Sequence, residues 1–424
     1  NTKFYSSISY TKQQGILYNQ GLERFTGNAN VTHTFGHFTV NASTLFSKMT
    51  QNLSNEGTSY DGTIANYVAW QSPSTTPYNE DGSLNDGSGM FGVNPVFERA
   101  HSYDRNYVTR SYNTLSLTYN IWDGLNFTEK LAYDYIGNTE DVLWDKESNN
   151  GSPAGVMQRM IFENTQLNTQ SQLSYIKSFG KHNVDALLGF ETEDYKQNYN
   201  YIAGDTYPGK LYEFANASNT SAESLKQSYR MTSWLGRVNY NYDNKYYLGV
   251  SYRRDGSSRL ARKNRWGNFG GVSAAWRVSE EGFFKPLRNV VDDLKIKGSY
   301  GVVGNTDIYD YASKSFYSSY NYGINGTYGL AQIADPNLKW ESSEKYSIGF
   351  NARLLDRISV DFDYYYTKSS DLILDVPQSP SKGIPGNIIT TNAGKMKNSG
   401  IELTVSADVI RNSQFTWETS FNIT

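Results

Sequence analysis

The chain of 424 residues contains no cysteine. This absence excludes a disulfide framework, a metal site built on thiolates and a thiol nucleophile. The chain also lacks any run of about 18 consecutive apolar residues, which excludes a membrane-spanning helix. Residues 1–10 have neither the basic start nor the apolar centre of a signal peptide. We therefore expect neither a helical membrane protein nor a thiol-dependent enzyme.

The chain also has no excess of positive charge, since it contains 39 basic and 42 acidic residues. Nucleic acid is therefore not an expected partner, since such binding depends on basic groups that displace the counterions of the phosphates. Aromatic residues, in contrast, make up 15% of the chain, although only 38% of its residues are hydrophobic. A transmembrane β-barrel needs this combination, because its strands face lipid on one side and water on the other, with aromatic girdles at both interfaces.

Apolar and polar residues alternate over segments of about ten residues, the length that a tilted strand needs to cross a bilayer. The clearest example runs from Trp234 to Tyr242, turns at 243–245 and returns from Tyr246 to Tyr252. This pattern predicts an all-β fold, a transmembrane antiparallel β-barrel with about 15 strands in residues 1–424. Similar hairpins are predicted at 115–135, 173–190, 348–364 and 401–423.

Long polar connections separate the hairpins, so that short turns alternate with long loops. This asymmetry is typical of outer-membrane barrels, which have tight periplasmic turns and long extracellular loops. We expect a short helix only at 279–293. Closed bacterial barrels have an even number of strands, so we interpret 1–424 as one incomplete barrel domain. The long connections are predicted at 50–108, 137–164, 196–228, 302–340 and 371–397.

No catalytic constellation, phosphate loop or nucleophile elbow is present. His33 and His37 lie at a turn without an accompanying carboxylate or cysteine, so a metal site is not expected there. Residues 79–87 resemble a calcium loop, but counted from Asp81 the glycine stands at position seven, and position twelve is Gly92 rather than glutamate. We predict no enzyme activity, no metal and no cofactor.

Candidate ligand contacts come from two places. Aromatic residues crowd the connection 302–340, where rings could stack on a sugar, although interfacial anchoring or loop packing is the favoured explanation. A charged group stands where a strand leaves the membrane, and a salt-bridge network at the rim is the alternative to a ligand role. The candidates are Tyr309, Tyr311, Tyr317, Tyr320, Tyr322, Arg253, Asp255 and Arg259.

Four stretches of the chain resemble the SusC/RagA family of TonB-linked outer-membrane transporters. They lie at 242–259, 294–305, 335–341 and 392–403. In order, they contain YDNKYYL with YRRDGSSR, LKIKGSYG with GN, DPNLKWE, and NAGKMKNSGIEL. The order and spacing of these stretches carry the resemblance more than any one of them.

The resemblance implies a 22-stranded barrel in the outer membrane of Bacteroidota, surrounded by its lipid and plugged by an N-terminal domain. It implies import of oligosaccharides or peptides, driven through the TonB complex and closed by a SusD-like surface lipoprotein. The candidate residues would then contact the ligand or this lid. We expect the plug, the TonB box and the last strands to lie outside these 424 residues.

Three other functions stay open on the residues alone. The same barrel could take up a siderophore or cobalamin, or it could act as a passive porin or scaffold within a larger surface complex. A soluble carbohydrate-binding β-protein would also be rich in aromatic residues.

Overall fold

The computed structural model describes residues 1–16, 19–53, 68–69, 71–87 and 94–424. Strands account for most of these residues, as the sequence predicts. The strands are β1 (Thr2–Gln14), β2 (Gly21–Phe35), β3 (Phe38–Leu53), β4 (Ser102–Trp122), β5 (Leu125–Trp144), β6 (Val156–Phe179), β7 (His182–Asp205), β8 (Asn219–Tyr242), β9 (Tyr246–Ser257), β10 (Trp266–Arg277), β11 (Val291–Asn305), β12 (Phe316–Tyr322), β13 (Asn325–Gln332), β14 (Glu341–Leu354), β15 (Ile358–Ser370), β16 (Ile373–Pro377), β17 (Ile388–Asn392), β18 (Lys395–Arg411) and β19 (Thr416–Ile423).

Helices are few and short among the described residues. One α-helix, α1 (Pro95–Ala100), precedes β4. The remaining helical segments are 3-10 turns at Phe214–Asn216, Arg262–Asn264, Val278–Glu280, Gly282–Leu287, Pro380–Lys382 and Pro385–Asn387. No helix in the described part of the chain is long and apolar enough to cross a membrane.

Fifteen strands form one sheet in which neighbours along the chain are hydrogen-bonded neighbours in space, which confirms the predicted strand number. The order is β1-β2-β3-β4-β5-β6-β7-β8-β9-β10-β11-β14-β15-β18-β19. The strands β12 and β13 form a separate hairpin within one long connection, and β16 and β17 form another. Antiparallel neighbours need only a tight turn, whereas parallel ones would need a crossover.

The predicted alternation determines which side chains share a face of the sheet. Trp234 on β8 and Leu248 and Tyr252 on β9 point to one face, where about half of each side chain is exposed. Ser233 and Asp255 point to the opposite face and are buried. We call these two sides the apolar face and the polar face. An exposed apolar face of this kind suits lipid rather than water.

The tight turns fall where the sequence predicts them. Between β8 and β9, Asp243 and Asn244 adopt positive φ angles of 55° and 54°, a conformation that these two residue types tolerate better than most. Gly124 and Gly180 have positive φ in the turns after β4 and β6. These local preferences favour the hairpin register before any long-range contact forms.

Contacts divide the chain into two compact units. The first contains 1–116, 131–168 and 195–228, and the second contains 117–130, 169–194 and 229–424. In the first unit, Asn94 caps α1 by accepting a hydrogen bond from the backbone N–H of Val96. Glu98 of this helix is buried and accepts a hydrogen bond of 2.6 Å from the backbone N–H of Asn149. Polar contacts thus hold α1 in place.

The second unit has a small apolar core beside the ends of its strands. Its buried members come from three segments that are distant in the sequence, and Trp340 also donates from Nε1 to the carbonyl oxygen of Arg265 at 2.8 Å. The buried core residues are Leu260, Ala261, Ala312, Leu338 and Trp340.

The predicted bounds of two long connections are wrong. The connection predicted at 137–164 spans only 145–155, and that predicted at 196–228 spans only 206–218, because strands β5 to β8 continue through polar sequence. Polar side chains do not interrupt a hydrogen-bonded ladder, so strands can extend beyond the lipid without an apolar signal. The connections at 302–340 and 371–397 contain the two extra hairpins, and much of 54–93 lies outside the described residues.

The short helix predicted at 279–293 is replaced by two 3-10 turns, and β11 already begins at Val291. Pro286 lies inside the second turn. Proline has no N–H to donate and its ring clashes with the preceding turn, which explains why a regular α-helix does not form.

Leu338→Ala should destabilise the second unit by about 2–5 kcal/mol, because it leaves a cavity at a completely buried position. Thermal unfolding of the detergent-solubilised protein, followed by its heat-dependent mobility in SDS gels, measures this loss. Leu374→Ala is the matched control, since Leu374 is half exposed on β16. Equal effects of the two substitutions would contradict the proposed core.

Candidate functional site

A network of charges joins three neighbouring strands on the polar face of the second unit. Arg253 on β9 contacts Asp255 through Nε at 2.6 Å and Ser233 on β8 through Nη2 at 2.9 Å. The same guanidinium lies 2.9 Å from Glu191 on β7. Since both carboxylates and the hydroxyl accept from one arginine, the geometry of this wall depends on that side chain.

Arg259 connects the end of β9 to the long connection before β12. Its Nε donates to Asp310 at 2.7 Å, and its guanidinium lies 3.8 Å from the centre of the Tyr229 ring on β8. Tyr229 in turn donates from its hydroxyl to Glu193 on β7. The candidate residues Arg253, Asp255 and Arg259 therefore lie in ion-pair networks. Such a network is the alternative to a ligand role for these residues.

Three of the four sequence stretches meet beside the small core. In the stretch 335–341, Leu338 and Trp340 are buried. Asn392 begins another stretch, and its side chain accepts from the backbone N–H of Lys339 at 2.8 Å and donates to the carbonyl of the same residue at 2.9 Å. The stretch 242–259, which ends next to Leu260 of the core, supplies the arginines described above. These residues shape the base of the long connections rather than an open binding surface.

The hairpin of β12 and β13 presents most of the predicted tyrosines to solvent. Tyr317, Tyr320 and Tyr322 are 70%, 50% and 82% exposed. Tyr320 opposes Thr327 in the hairpin register, and its ring covers Gly329, where an added Cβ would approach the ring to 2.8 Å. The hairpin therefore offers aromatic surface that is free to meet another molecule.

The other two predicted tyrosines differ from each other. Tyr309 is 71% exposed. Tyr311 is half-buried, packs edge-on against Phe316 with 6.0 Å between ring centres and lies 4.9 Å from the ammonium of Lys314. Its backbone carbonyl accepts from Gln332 at 3.3 Å. Tyr311 therefore contributes to packing at the base of the hairpin.

The polar face also carries a groove that the sequence does not predict. It has a volume of about 390 Å³. Its floor is made by small residues, since a Cβ added to Gly249 would lie only 2.6 Å from Ser273 Oγ. Small residues on a polar strand face are the only sequence signal for it. Its polar lining includes Asn239, Lys295, Lys297, Ser299 and Ser347.

The two lysines of this groove have different partners. Lys297 lies 3.1 Å from Asp361 and 2.6 Å from Asp363, both on β15. Lys295 lies with its ammonium 4.3 Å from the centre of the Tyr247 ring. The groove thus offers hydroxyl, amide and ammonium groups beside apolar side chains, a lining that suits a solute with both hydrogen-bonding and apolar parts.

One group of three His, Asp or Glu side chains with the spacing of metal ligands occurs among the described residues, in the first unit. His101 Nδ1 lies 2.9 Å from Asp145 Oδ2 and 3.3 Å from Glu147 Oε2. Lys210 also donates to Glu147 at 2.6 Å, and this hydrogen bond raises the pKa of Lys210 because it stabilises the charged ammonium. Ordinary ion pairing accounts for this cluster.

The calcium-like segment is organised by hydrogen bonds within it. Ser83 donates to Asp81 from its backbone N–H at 2.9 Å and from its hydroxyl at 2.6 Å. These bonds hold the pKa of Asp81 below its usual range, because they stabilise the charged carboxylate. At the other predicted turn, His33 bonds Thr2 at 2.7 Å.

An antiparallel sheet with an exposed apolar face and an ion-paired polar face has the two-sided character of the wall of an outer-membrane β-barrel. A family model described as TonB dependent receptor-like, beta-barrel matches residues 50–424. The chain belongs to this family of outer-membrane receptors and transporters, which confirms the predicted resemblance and location.

Individual relatives agree with this assignment. TonB-dependent receptor P3 of Formosa agariphila is 29% identical over 100% of this chain and 44% of its own length. TonB-dependent receptor SusC of Bacteroides thetaiotaomicron is 25% identical over 100% of this chain and 45% of its own. This chain therefore spans less than half the length of these relatives.

Among solved structures, the RagAB peptide transporter aligns with a TM-score of 0.87 at 22% identity, over 99% of this chain and 48% of that one. At this identity the likeness shows a common fold. It extends over the whole fifteen-stranded sheet.

Arg253→Met should lower stability by about 1–3 kcal/mol, because it leaves two carboxylates without their shared donor. Arg254→Met is the matched control, since Arg254 lies on the apolar face over the Trp266 ring, at 5.2 Å, a contact worth about 0.5–1 kcal/mol. Thermal unfolding of both variants in the same detergent tests this. A larger loss for Arg254→Met would contradict the network.

Proposed function

We propose that the whole protein imports a polar nutrient, an oligosaccharide or a peptide, across the bacterial outer membrane. The observation that carries the proposal is the groove on the polar face, whose lining combines hydroxyl, amide and ammonium groups. A solute that moves along this face exchanges its hydrogen bonds with water for similar ones with the wall. Family membership supports coupling of this movement to the TonB complex.

The proposal includes a SusD-like surface lipoprotein that closes over the long connections. The exposed tyrosines of the β12–β13 hairpin support it, because aromatic residues are enriched where proteins contact one another. Similarity to SusC and to the RagAB transporter supports the same arrangement. No catalytic step is proposed, because Arg253, Asp255 and Arg259 are engaged in ion pairs.

Deletion of the gene should abolish growth on one class of nutrient, and a plasmid copy should restore it. Growth on single glycans and on defined peptide mixtures, each as sole carbon source, identifies that class. The uptake of labelled substrate by the complemented strain is the direct measurement. Normal growth of the deletion strain on every glycan and peptide would refute nutrient import.

Replacement of Tyr317, Tyr320 and Tyr322 by serine should weaken either ligand capture or lid binding. The two roles are separable, because a ligand contact raises the KM of uptake while a lid contact lowers the amount of lipoprotein recovered in mild detergent. Tyr78→Ser is the control, since Tyr78 is a half-exposed tyrosine elsewhere in the chain. Unchanged uptake and unchanged recovery would remove these tyrosines from the site.

A further inference from the structure

Buried oxygen atoms without a donor gather where β4 and β5 lie side by side in the first unit. Within the described residues, no hydrogen-bond donor reaches Asp104 Oδ1, Asn106 Oδ1 or Asn138 Oδ1. Asp104 is only 6% exposed. Buried polar atoms normally have a partner, and leaving a charged oxygen without one is costly. These atoms therefore point to a bound group that can serve several acceptors at once.

The register of the two strands brings a second carboxylate to this place. Arg110 on β4 donates to both carboxylate oxygens of Asp134 on β5, at 3.0 Å and 2.7 Å. Even-numbered residues of both strands share the face of Arg110 and Asp134, so Asp104 and Glu140 lie on this face as well. The two carboxyl groups interact at hydrogen-bonding distance, and Glu140 acts on Asp104 electrostatically.

Asn106 and Asn138 each stand two positions from one of these carboxylates and lie on the same face, since residues two positions apart on a strand share a face. Side chains that oppose one another directly or diagonally across two strands are within about 8 Å at their Cβ atoms. Asp104, Asn106, Asn138 and Glu140 therefore form a cluster on one face. Each of the four carries an oxygen acceptor.

The charge of the cluster is only partly compensated. Arg99 of α1 acts electrostatically on Asp104, and its Nη2 donates to the carbonyl oxygen of Asn19 at 2.8 Å. Arg105 is the next residue of β4 and points to the opposite face. One guanidinium cannot neutralise two carboxylates, so the cluster retains negative charge in a buried place.

We propose that Asp104, Glu140, Asn106 and Asn138 form a binding site for a calcium ion. Carboxylate and amide oxygens are the ligands that Ca²⁺ prefers, and its flexible coordination accepts water in the remaining positions. Mg²⁺ demands a stricter octahedral geometry, and no imidazole or thiolate stands in the cluster to favour a softer metal. The ion links β4 to β5 and fixes the wall beside α1.

The test uses the full-length transporter in detergent after removal of divalent ions with EDTA. The wild type and the double variant Asp104→Asn/Glu140→Gln are titrated calorimetrically with CaCl₂. Thermal unfolding of both proteins is measured with and without CaCl₂. We expect the double substitution to weaken calcium binding at least tenfold and to abolish the calcium-dependent rise in Tm. MgCl₂ should give a smaller rise in the wild type.

Two further variants make the result specific. Glu147→Gln changes the cluster around His101 and should bind calcium like the wild type. Calcium held by lipopolysaccharide contributes equally to all samples and therefore does not explain a difference between variants. Asn138→Ala removes one neutral ligand and should weaken binding several-fold even if the double variant folds poorly. The proposal is overturned if calcium has no effect on the wild type. It is also overturned if both Asn138→Ala and a folded double variant bind calcium with wild-type affinity.

Discussion

The structure depends on one constraint, the pairing of every backbone N–H and C=O group where lipid replaces water. An unpaired group in hydrocarbon costs several kcal/mol, so strands can cross only as part of a continuous hydrogen-bonded sheet. The fifteen strands meet this demand by pairing in simple chain order. Backbone pairing thereby leaves the side chains free to differ completely between the two faces.

The polar face uses this freedom in a particular way. Its charges are arranged as short-range pairs, such as Arg253 with Glu191 and Lys297 with Asp363, so that the wall is hydrophilic without strong net attraction for one sign of charge. Mutual pairing also holds long side chains in fixed positions. A wall of this kind can exchange hydrogen bonds with a passing solute and still keep its own geometry.

Much of the fold could be predicted from the sequence because lipid-facing strands follow a strict period of two. Trp234, Leu248 and Tyr252 were assigned to one face by alternation alone, and the turn at Asp243 follows from local backbone preference. The limits of β5 to β8 could not be predicted, because a polar strand beyond the lipid has the same composition as a loop. For the candidate site, the sequence indicates an aromatic-rich connection, but not the pairing of Arg259 with Asp310.

The sequence by itself therefore determined the all-β class, the membrane-facing alternation, the short turns and the family. Those properties depend on neighbouring residues or on motifs that are continuous in the chain. Only the tertiary structure decided which distant residues meet, such as Leu338 with Leu260, or Arg259 with Asp310. Such contacts depend on strand register and on the folding of the long connections, and a shift of one residue in register would send every side chain to the other face.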